Sequence, residues 1–173
     1  MYQRILVPVD GSATSNAGLA EAIRLARASA GRLRLIHVID DQSLGFGMAA
    51  WGEYPGNWLE VLRDNGRDVL AMGASQAKAA RVPAETFLHD AFLGSVAEIV
   101  RKEAAHWPAD LIVLGTHGRR GLGRLMLGSD AERIVRSSSV PVLLVRGAAV
   151  PQPPQTGVAE MAATTARVAV AAG

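Results

Sequence analysis

Five glycines late in the chain lie where a loop could hold an anion against bare backbone. Glycine tolerates positive φ and, lacking a side chain, lets a ligand approach the main chain closely. A helical pattern begins at Gly128-Ser129, and a helix start carries unpaired N–H groups and partial positive charge. A loop of this kind followed by a helix start is a typical phosphate site. The five glycines are Gly115, Gly118, Gly121, Gly123 and Gly128.

Three arginines, Arg119, Arg120 and Arg124, add full positive charge to the same loop. Guanidinium groups bind phosphate oxygens well. The alternative is a flexible loop with a solvated basic face and no ligand. The context favours the phosphate site, because an apolar strand pattern precedes the loop and a helical pattern follows it. Ser129, with Glu132 three residues later, predicts a capping box in which Ser129 is the N-cap.

The elements that would position this loop follow from the apolar pattern of the chain. Continuous apolar runs predict buried strands, at 5–9, 32–39, 84–88, 109–115 and 140–145. Helical spacing predicts three helices before the loop, at 17–30, 57–80 and 94–105. Two stretches are predicted to be irregular, at 41–56 and 89–93. The first contains Trp51 and Tyr54, whose rings would pack on the body or form part of a lid over a ligand.

Local signals refine the ends of these helices. Ser12 or Ser15 is expected to cap the first helix, and Gly31 is expected to end it. Gly66 and Gly73 weaken the prediction of the long second helix, because glycine lowers helix stability.

Strands and helices alternate along the chain, which predicts a single doubly wound parallel sheet with helices on both faces. In such sheets, ligands bind beyond the carboxyl ends of the strands, where the connection direction reverses. Asp10 follows the first strand and Gly115 ends the fourth. If these strands are neighbours, the two turns meet although they lie far apart in the chain.

Composition limits the class of protein. The chain has 173 residues, no cysteine and a formal net charge of +2, so we expect one domain without disulfides or zinc–thiolate sites. The sequence has no signal-peptide pattern and no apolar run of membrane-spanning length, so a cytoplasmic protein without a membrane partner is expected. Basic and aromatic residues do not interleave, so no nucleic-acid partner is expected. His37, His89 and His106 lack metal-ligand spacing and are interpreted as structural or exposed.

Two motifs of this chain resemble the ATP-binding branch of the universal stress protein family. Gly115-x2-Gly118-x9-Gly128-Ser129 is similar to the G-x2-G-x9-G-[ST] pattern of that branch, and ILVPVDGS resembles its first-strand motif. The resemblance covers residues 1–146 and implies a Rossmann-like nucleotide-binding domain with five parallel strands in the order 3-2-1-4-5. It also implies a homodimer formed through the strand Val140 to Val145. Residues 147–173 are predicted to be a proline-rich linker and an Ala/Val-rich tail.

The same resemblance implies a site for an adenine nucleotide, which would be ATP, ADP or AMP, with Mg²⁺ bound through the phosphates. Pro8 and Val9 would line the adenine pocket, and Val38 would offer backbone groups to the adenine edge. Asp10 would contact the ribose or the metal-bound phosphates; the alternative is that Asp10 is only a turn residue before the helix. No residue is assigned as a direct metal ligand.

The glycine motif would hold the sugar and the first phosphates. The resemblance places Gly115 and Gly118 beside the ribose and these phosphates, with Thr116 between them. Arg119 would supply the cation of the loop, the alternative being plain exposure to solvent.

The start of the next helix would hold the outer phosphates, through the backbone of Gly128 and Ser129 and the Ser129 hydroxyl. Asp130 departs from the family pattern, which more often has an uncharged residue there. A carboxylate at this position suits the helix dipole, but it would repel a bound polyphosphate unless Mg²⁺ lies between them. The predicted insert at 89–93 is a second departure from the pattern.

These features favour an ATP-binding regulatory module of the stress response, with at most slow ATP hydrolysis. The sequence offers neither a convincing general base nor a P-loop motif, so no catalytic residue is assigned. One alternative is a slow ATPase or adenylyl-transfer enzyme. Another is a nucleotide-free dimerisation module with a vestigial loop, which Asp130 favours.

Overall fold

The computed structural model describes residues 2–40, 57–91, 95–116 and 128–147 of the chain. Five strands occur in this part: β1 (Arg4–Pro8), β2 (Arg32–Asp40), β3 (Ala84–Ala91), β4 (Leu111–Gly115) and β5 (Val142–Val145). The helices of this part are α1 (Ala13–Ser29), α2 (Trp58–Ala79), α3 (Val96–His106) and α4 (Ser129–Ser137).

The strands form one parallel sheet in the order β3-β2-β1-β4-β5. This confirms the predicted doubly wound architecture and its strand order. β1 and β4 lie side by side at the centre, with Ile5 paired to Leu111 and Leu6 to Ile112. The chain therefore reverses its winding direction between these two strands, which is where ligands bind in sheets of this type.

Alternate side chains of the central strands enter two separate cores, which explains why their sequences are continuously apolar. On one face, Ile5 and Val7 of β1 pack with apolar residues of α1 and α2. On the other face, Leu6 of β1 and Ile112 of β4 pack with α3 and α4. The side chains of Ile5, Leu6 and Val7 are fully buried, so a polar substitution at any of these positions would bury an unsatisfied group.

The first helix begins earlier than its apolar pattern predicts. Ser12 is the N-cap, and its Oγ accepts the Ser15 N–H at 3.2 Å, so α1 begins at Ala13 rather than near residue 17. The helix ends one residue before the predicted stop, because Ala30 and not Gly31 has the left-handed conformation, with φ 52°. Gly31 is needed for a different reason: a Cβ there would lie 3.0 Å from the Gln3 and Tyr2 carbonyl oxygens.

The predicted irregular insert at 89–93 is wrong for residues 89–91, which continue β3 and pair with β2 as far as Asp40 and Ala91. The polar pair His89-Asp90 interrupts the apolar run and so hides the strand from a periodicity argument. An edge strand tolerates such residues because one of its sides is unpaired. Arg63 of α2 binds the Asp90 carboxylate at 2.5 Å and ties this end of β3 to the helix. Residues 92–94 lie outside the described residues.

Two glycines that weakened the prediction of α2 allow it to lie close to the sheet. A Cβ on Gly66 would lie 2.6 Å from Leu88 Cδ1 and 2.8 Å from His37 Cδ2. A Cβ on Gly73 would lie 2.9 Å from Leu35 Cδ1. Real Cβ atoms do not approach other atoms so closely, so the low helix propensity of glycine is offset by tight helix-sheet packing.

Within the described ranges, no helix combines the length and the apolarity needed to cross a membrane.

Candidate functional site

The carboxyl ends of β1 and β4 bring two loop-helix junctions together, as the sequence predicts for neighbouring strands. Gly115, the last residue of β4, lies directly against the first turn of α1: a Cβ on Gly115 would lie 2.5 Å from the Thr14 carbonyl carbon and oxygen. A Cβ on Gly18 would in turn lie 3.1 Å from the Gly115 nitrogen. Both glycines therefore have a packing role that is independent of any ligand.

The turn after β1 is fixed by its own polar groups. The Asp10 Oδ1 accepts the Ser12 N–H at 2.8 Å, and the Asp10 N–H donates to Ser15 Oγ at 3.2 Å. Gly11, between them, has φ 80°, a conformation that glycine adopts without strain. One carboxylate oxygen of Asp10 thus has the turn role that the sequence left as an alternative. Its contact with a nucleotide stays a prediction.

The β4 to α4 junction differs from the predicted capping box. Gly128 is the N-cap of α4 and no side chain caps the helix, while Ser129 is its first helical residue. The predicted capping box with Ser129 as N-cap is therefore wrong by one residue. Because Ser129 already has helical backbone, it lacks the extended conformation that an N-cap residue needs. The Gly128 N–H donates to the Thr116 carbonyl at 2.9 Å, and the Thr116 N–H donates to the Val145 carbonyl at 3.0 Å.

This arrangement changes which backbone groups can receive a phosphate. Because the Gly128 N–H is bonded to Thr116, the amides that begin α4 start with that of Ser129, whose N–H has no acceptor within the helix. Gly128 has φ −58° and ψ 143°, which any residue adopts, so its backbone conformation does not require glycine. The Ser129 side chain is exposed.

Two acidic residues, Asp130 and Glu132, lie in the first turn of α4. Glu132 is paired with Arg136 one turn later, at 3.0 Å. Acidic residues near a helix start stabilise the helix through its dipole. Negative charge there also lowers the positive potential at the helix start, but the effect of Asp130 on a bound polyphosphate stays a prediction.

Several predicted residues lie outside the described residues. They are Gly118 and Arg119 of the glycine motif, together with Gly121, Gly123 and the other arginines of the loop, and Trp51 and Tyr54 of the proposed lid. Their roles stay predictions.

His37, which the sequence interprets only as structural or exposed, is buried beside the candidate site. Its Nδ1 lies 2.7 Å from the carbonyl oxygen of Val9, and its side chain is only 6% exposed. The Val9 N–H donates to the Ile36 carbonyl at 2.8 Å. Residue Val9 is therefore held by β2 through both of its backbone polar groups. A single polar residue within the apolar run LIHVI is the sequence signal for such a role.

A concavity of about 470 Å³ lies at the opposite end of the sheet. It is lined by residues at the amino-terminal ends of β1, β2 and β3, among them Arg4, Arg32 and Glu85. This surface is separate from the junctions around Gly115 and Gly128, because parallel strands carry all their carboxyl ends to one edge. Within the described part of the chain, no three His, Asp or Glu side chains are grouped as a metal site requires.

Comparison with known proteins places this geometry in a family. The model of the Universal stress protein family matches residues 1–146. A universal stress protein of Methanocaldococcus jannaschii is 32% identical over 150 residues, which cover 84% of this chain and 83% of that protein. A protein of the universal stress protein family from Burkholderia pseudomallei, whose crystal structure is known, is 28% identical with a TM-score of 0.63. The match covers 85% of this chain and 97% of the other.

Two further solved structures were determined with nucleotides. One is a universal stress protein in complex with cAMP, with 23% identity and a TM-score of 0.60, covering 85% of this chain and 98% of the other. The other is the universal stress protein of Archaeoglobus fulgidus in complex with dAMP, with 18% identity and a TM-score of 0.59, covering 83% and 98%. At these identities the likeness shows the fold.

Proposed function

This chain belongs to the universal stress protein family, and we propose that it is an ATP-binding member that acts as a nucleotide-dependent regulatory module of the stress response. The observation that carries the proposal is the meeting of two helix starts at the end of β4. The first turn of α1 contacts Gly115, and the N-cap of α4 is bonded to the adjacent Thr116. Helix starts attract anions.

The ligand class is supported by the relatives and by the motif. Universal stress proteins of the same fold have been solved with cAMP and with dAMP. The motif from Gly115 to Ser129 contains the spacing of the ATP-binding branch, and the glycine at Gly128 is not required by its own φ of −58°. Glycine at this position would therefore serve a ligand, by leaving space for it, rather than the backbone conformation. Mg²⁺ would be held through the phosphates, and Asp10 of the first-strand motif is the carboxylate that would contact the metal-bound phosphates.

Mass spectrometry of the protein purified from cells tests the proposal against a nucleotide-free module. We expect adenine nucleotide to be released from the native protein on denaturation. A protein that carries no nucleotide and takes up none from millimolar ATP would support the vestigial-loop alternative.

A steady-state assay with ATP and Mg²⁺ distinguishes a binder from an enzyme. We expect turnover no faster than about one per minute, far below typical enzymes. Turnover well above that rate, or transfer of adenylate to an acceptor, would instead support the ATPase or adenylyl-transfer alternative.

Replacing Asp130 by asparagine should tighten ATP binding by about threefold at low salt, because it removes one negative charge close to the phosphates. The gain should shrink when Mg²⁺ is present or when salt screens the charges. Calorimetry with and without Mg²⁺ measures the change in ATP affinity. Glu132→Gln, two residues further into α4, is the matched control. Equal or weaker binding by Asp130→Asn without Mg²⁺ would show that Asp130 does not oppose the ligand.

We also propose a homodimer formed through the edge strand β5. All four β5 side chains are only half-buried and the strand is at the end of the sheet, so its outer backbone groups can pair with a second copy. The Ile112 N–H and the Thr116 N–H donate to Pro141 and Val145, so by alternation the N–H groups of Val142 and Leu144 point to the open edge.

Val142→Pro should therefore weaken the dimer by about 100-fold, because proline removes an outward N–H and its ring obstructs a partner strand. Val142→Ala is the matched control, since it removes the same apolar contacts but keeps the N–H. Light scattering coupled to size exclusion measures the association state. A dimer that survives Val142→Pro unchanged would place the interface elsewhere.

A further inference from the structure

We propose that His37 is a positioning residue for the nucleotide: its ring replaces a main-chain donor of the sheet and so keeps the Val38 N–H available to the adenine. The inference rests on the proposed function, because it concerns the base-binding end of the same site. It also makes a statement about the nucleotide-free protein that can be tested separately.

The register of β1 and β2 shows where the hydrogen-bond ladder between them stops. Pro8 pairs with Ile36, and the Val9 N–H donates to the Ile36 carbonyl at 2.8 Å. In a parallel ladder, the next bond would run from the Val38 N–H to the Val9 carbonyl. The backbone hydrogen bonds of the described residues do not include this bond.

The Val9 carbonyl is instead satisfied by a side chain. His37 Nδ1 lies 2.7 Å from the Val9 oxygen. Because a carbonyl oxygen can only accept, Nδ1 must carry the proton, which fixes that nitrogen as the donor. A buried carbonyl needs a hydrogen-bond donor. Because the His37 ring supplies one, the Val9 carbonyl does not need the Val38 N–H.

The end of β1 determines what the two backbone polar groups of Val38 face. In β2, the backbone groups of even-numbered residues point towards β1, as the bond to Ile36 shows. β1 ends at Pro8, so the Val38 N–H and C=O face the crevice beyond that end. A donor and an acceptor side by side match the edge of adenine, which presents a ring-nitrogen acceptor beside an amino donor.

The position of the ring is itself determined by packing. The side chain is buried between β2 and α2, and a Cβ on Gly66 would lie 2.8 Å from its Cδ2. Gly66 therefore leaves room for the imidazole and no more. Burial of the ring against α2 restricts its movement and supports the hydrogen bond to Val9.

Two variants test the proposal by calorimetry with ATP and Mg²⁺. His37→Leu removes the donor, so we expect the Val38 N–H to bond to Val9 and ATP affinity to fall by about tenfold. Inorganic tripolyphosphate, which lacks the base, should bind both proteins equally. His37→Asn keeps an N–H at the same bond distance from Cβ and should bind ATP within about twofold of the parent protein.

Hydrogen exchange in the nucleotide-free protein is the second measurement, and it needs no ligand. The Val38 amide of the parent protein should exchange at least about tenfold faster than the laddered amide of Ile36, and His37→Leu should slow it. The proposal is overturned if Val38 is already protected in the parent protein, a result that remains accessible even if His37→Leu does not fold. It is also overturned if His37→Leu binds ATP normally. Failure of the parent protein to bind ATP, with the expected exchange pattern, would remove the proposed function but not the backbone role of His37.

Discussion

Gly128→Val is expected to weaken ATP binding by more than about 100-fold while the sheet stays folded. The backbone of Gly128, at φ −58° and ψ 143°, is an extended conformation that valine adopts readily. The Gly128 N–H donates to the Thr116 carbonyl, and the Gly128 carbonyl accepts the Glu132 N–H. Neither bond involves a side chain of residue 128, so both would be kept in the valine variant. A branched side chain would instead project beside the start of α4, where the phosphates are proposed to bind. A 100-fold loss of ATP affinity corresponds to about 3 kcal/mol of binding free energy, which is what a steric clash of this kind typically costs.

Calorimetry with ATP and thermal unfolding, measured on the same preparation, separate the two parts of this prediction. Gly128→Ala should show an intermediate loss of affinity. Ser139→Val is the control at the other end of α4, where the side chain is exposed, and it should bind ATP normally. Undiminished ATP binding by Gly128→Val would mean that the phosphates lie elsewhere.

Gly115→Ala should destabilise the fold by about 3 kcal/mol, which corresponds to roughly 10 °C in the unfolding midpoint for a domain of this size. The new Cβ would lie 2.5 Å from the Thr14 carbonyl carbon and oxygen, and 2.9 Å from the Ser15 nitrogen. These are backbone atoms of the first turn of α1, which is held by the Ser12 cap. They cannot rotate away as a side chain can, so α1 must shift or unfold locally.

Gly147→Ala is the matched control, because its Cβ would meet the same residue differently. It would lie 2.8 Å from Thr14 Cγ2, a side-chain atom that can move by a few tenths of an ångström more easily than backbone, and should cost less than about 1 kcal/mol. Denaturant unfolding of both variants gives the comparison. Equal stability of Gly115→Ala and the parent protein would mean that α1 and β4 are not packed as closely as described.

Much of the fold is predictable from the sequence because buried parallel strands produce continuous apolar runs. Leu111 to Leu114 illustrates this, since every side chain of the run is buried. Polar residues within an element defeat the same reasoning. Thr14, Ser15 and Asn16 hide the first turn of α1 from the apolar pattern, and only the expected cap at Ser12 marks where the helix begins.

The candidate site is predictable only in outline. The spacing of the glycines indicates a phosphate loop, but spacing does not separate glycines that a ligand requires from glycines that packing requires. Gly115 has a steric partner in Thr14, whereas Gly128 has an ordinary extended backbone. The single polar residue of LIHVI draws attention to His37, but its hydrogen-bond partner depends on where β1 ends relative to β2, a property of register that no local pattern contains.

Calorimetric titration of the parent protein with ATP and Mg²⁺ tests the central claim most directly. If the starts of α1 and α4 form an adenine-nucleotide site, one ATP should bind per chain with a dissociation constant below about 1 mM, and Gly128→Val should abolish the signal. Absence of binding to the folded, nucleotide-free protein at millimolar ATP would contradict the account.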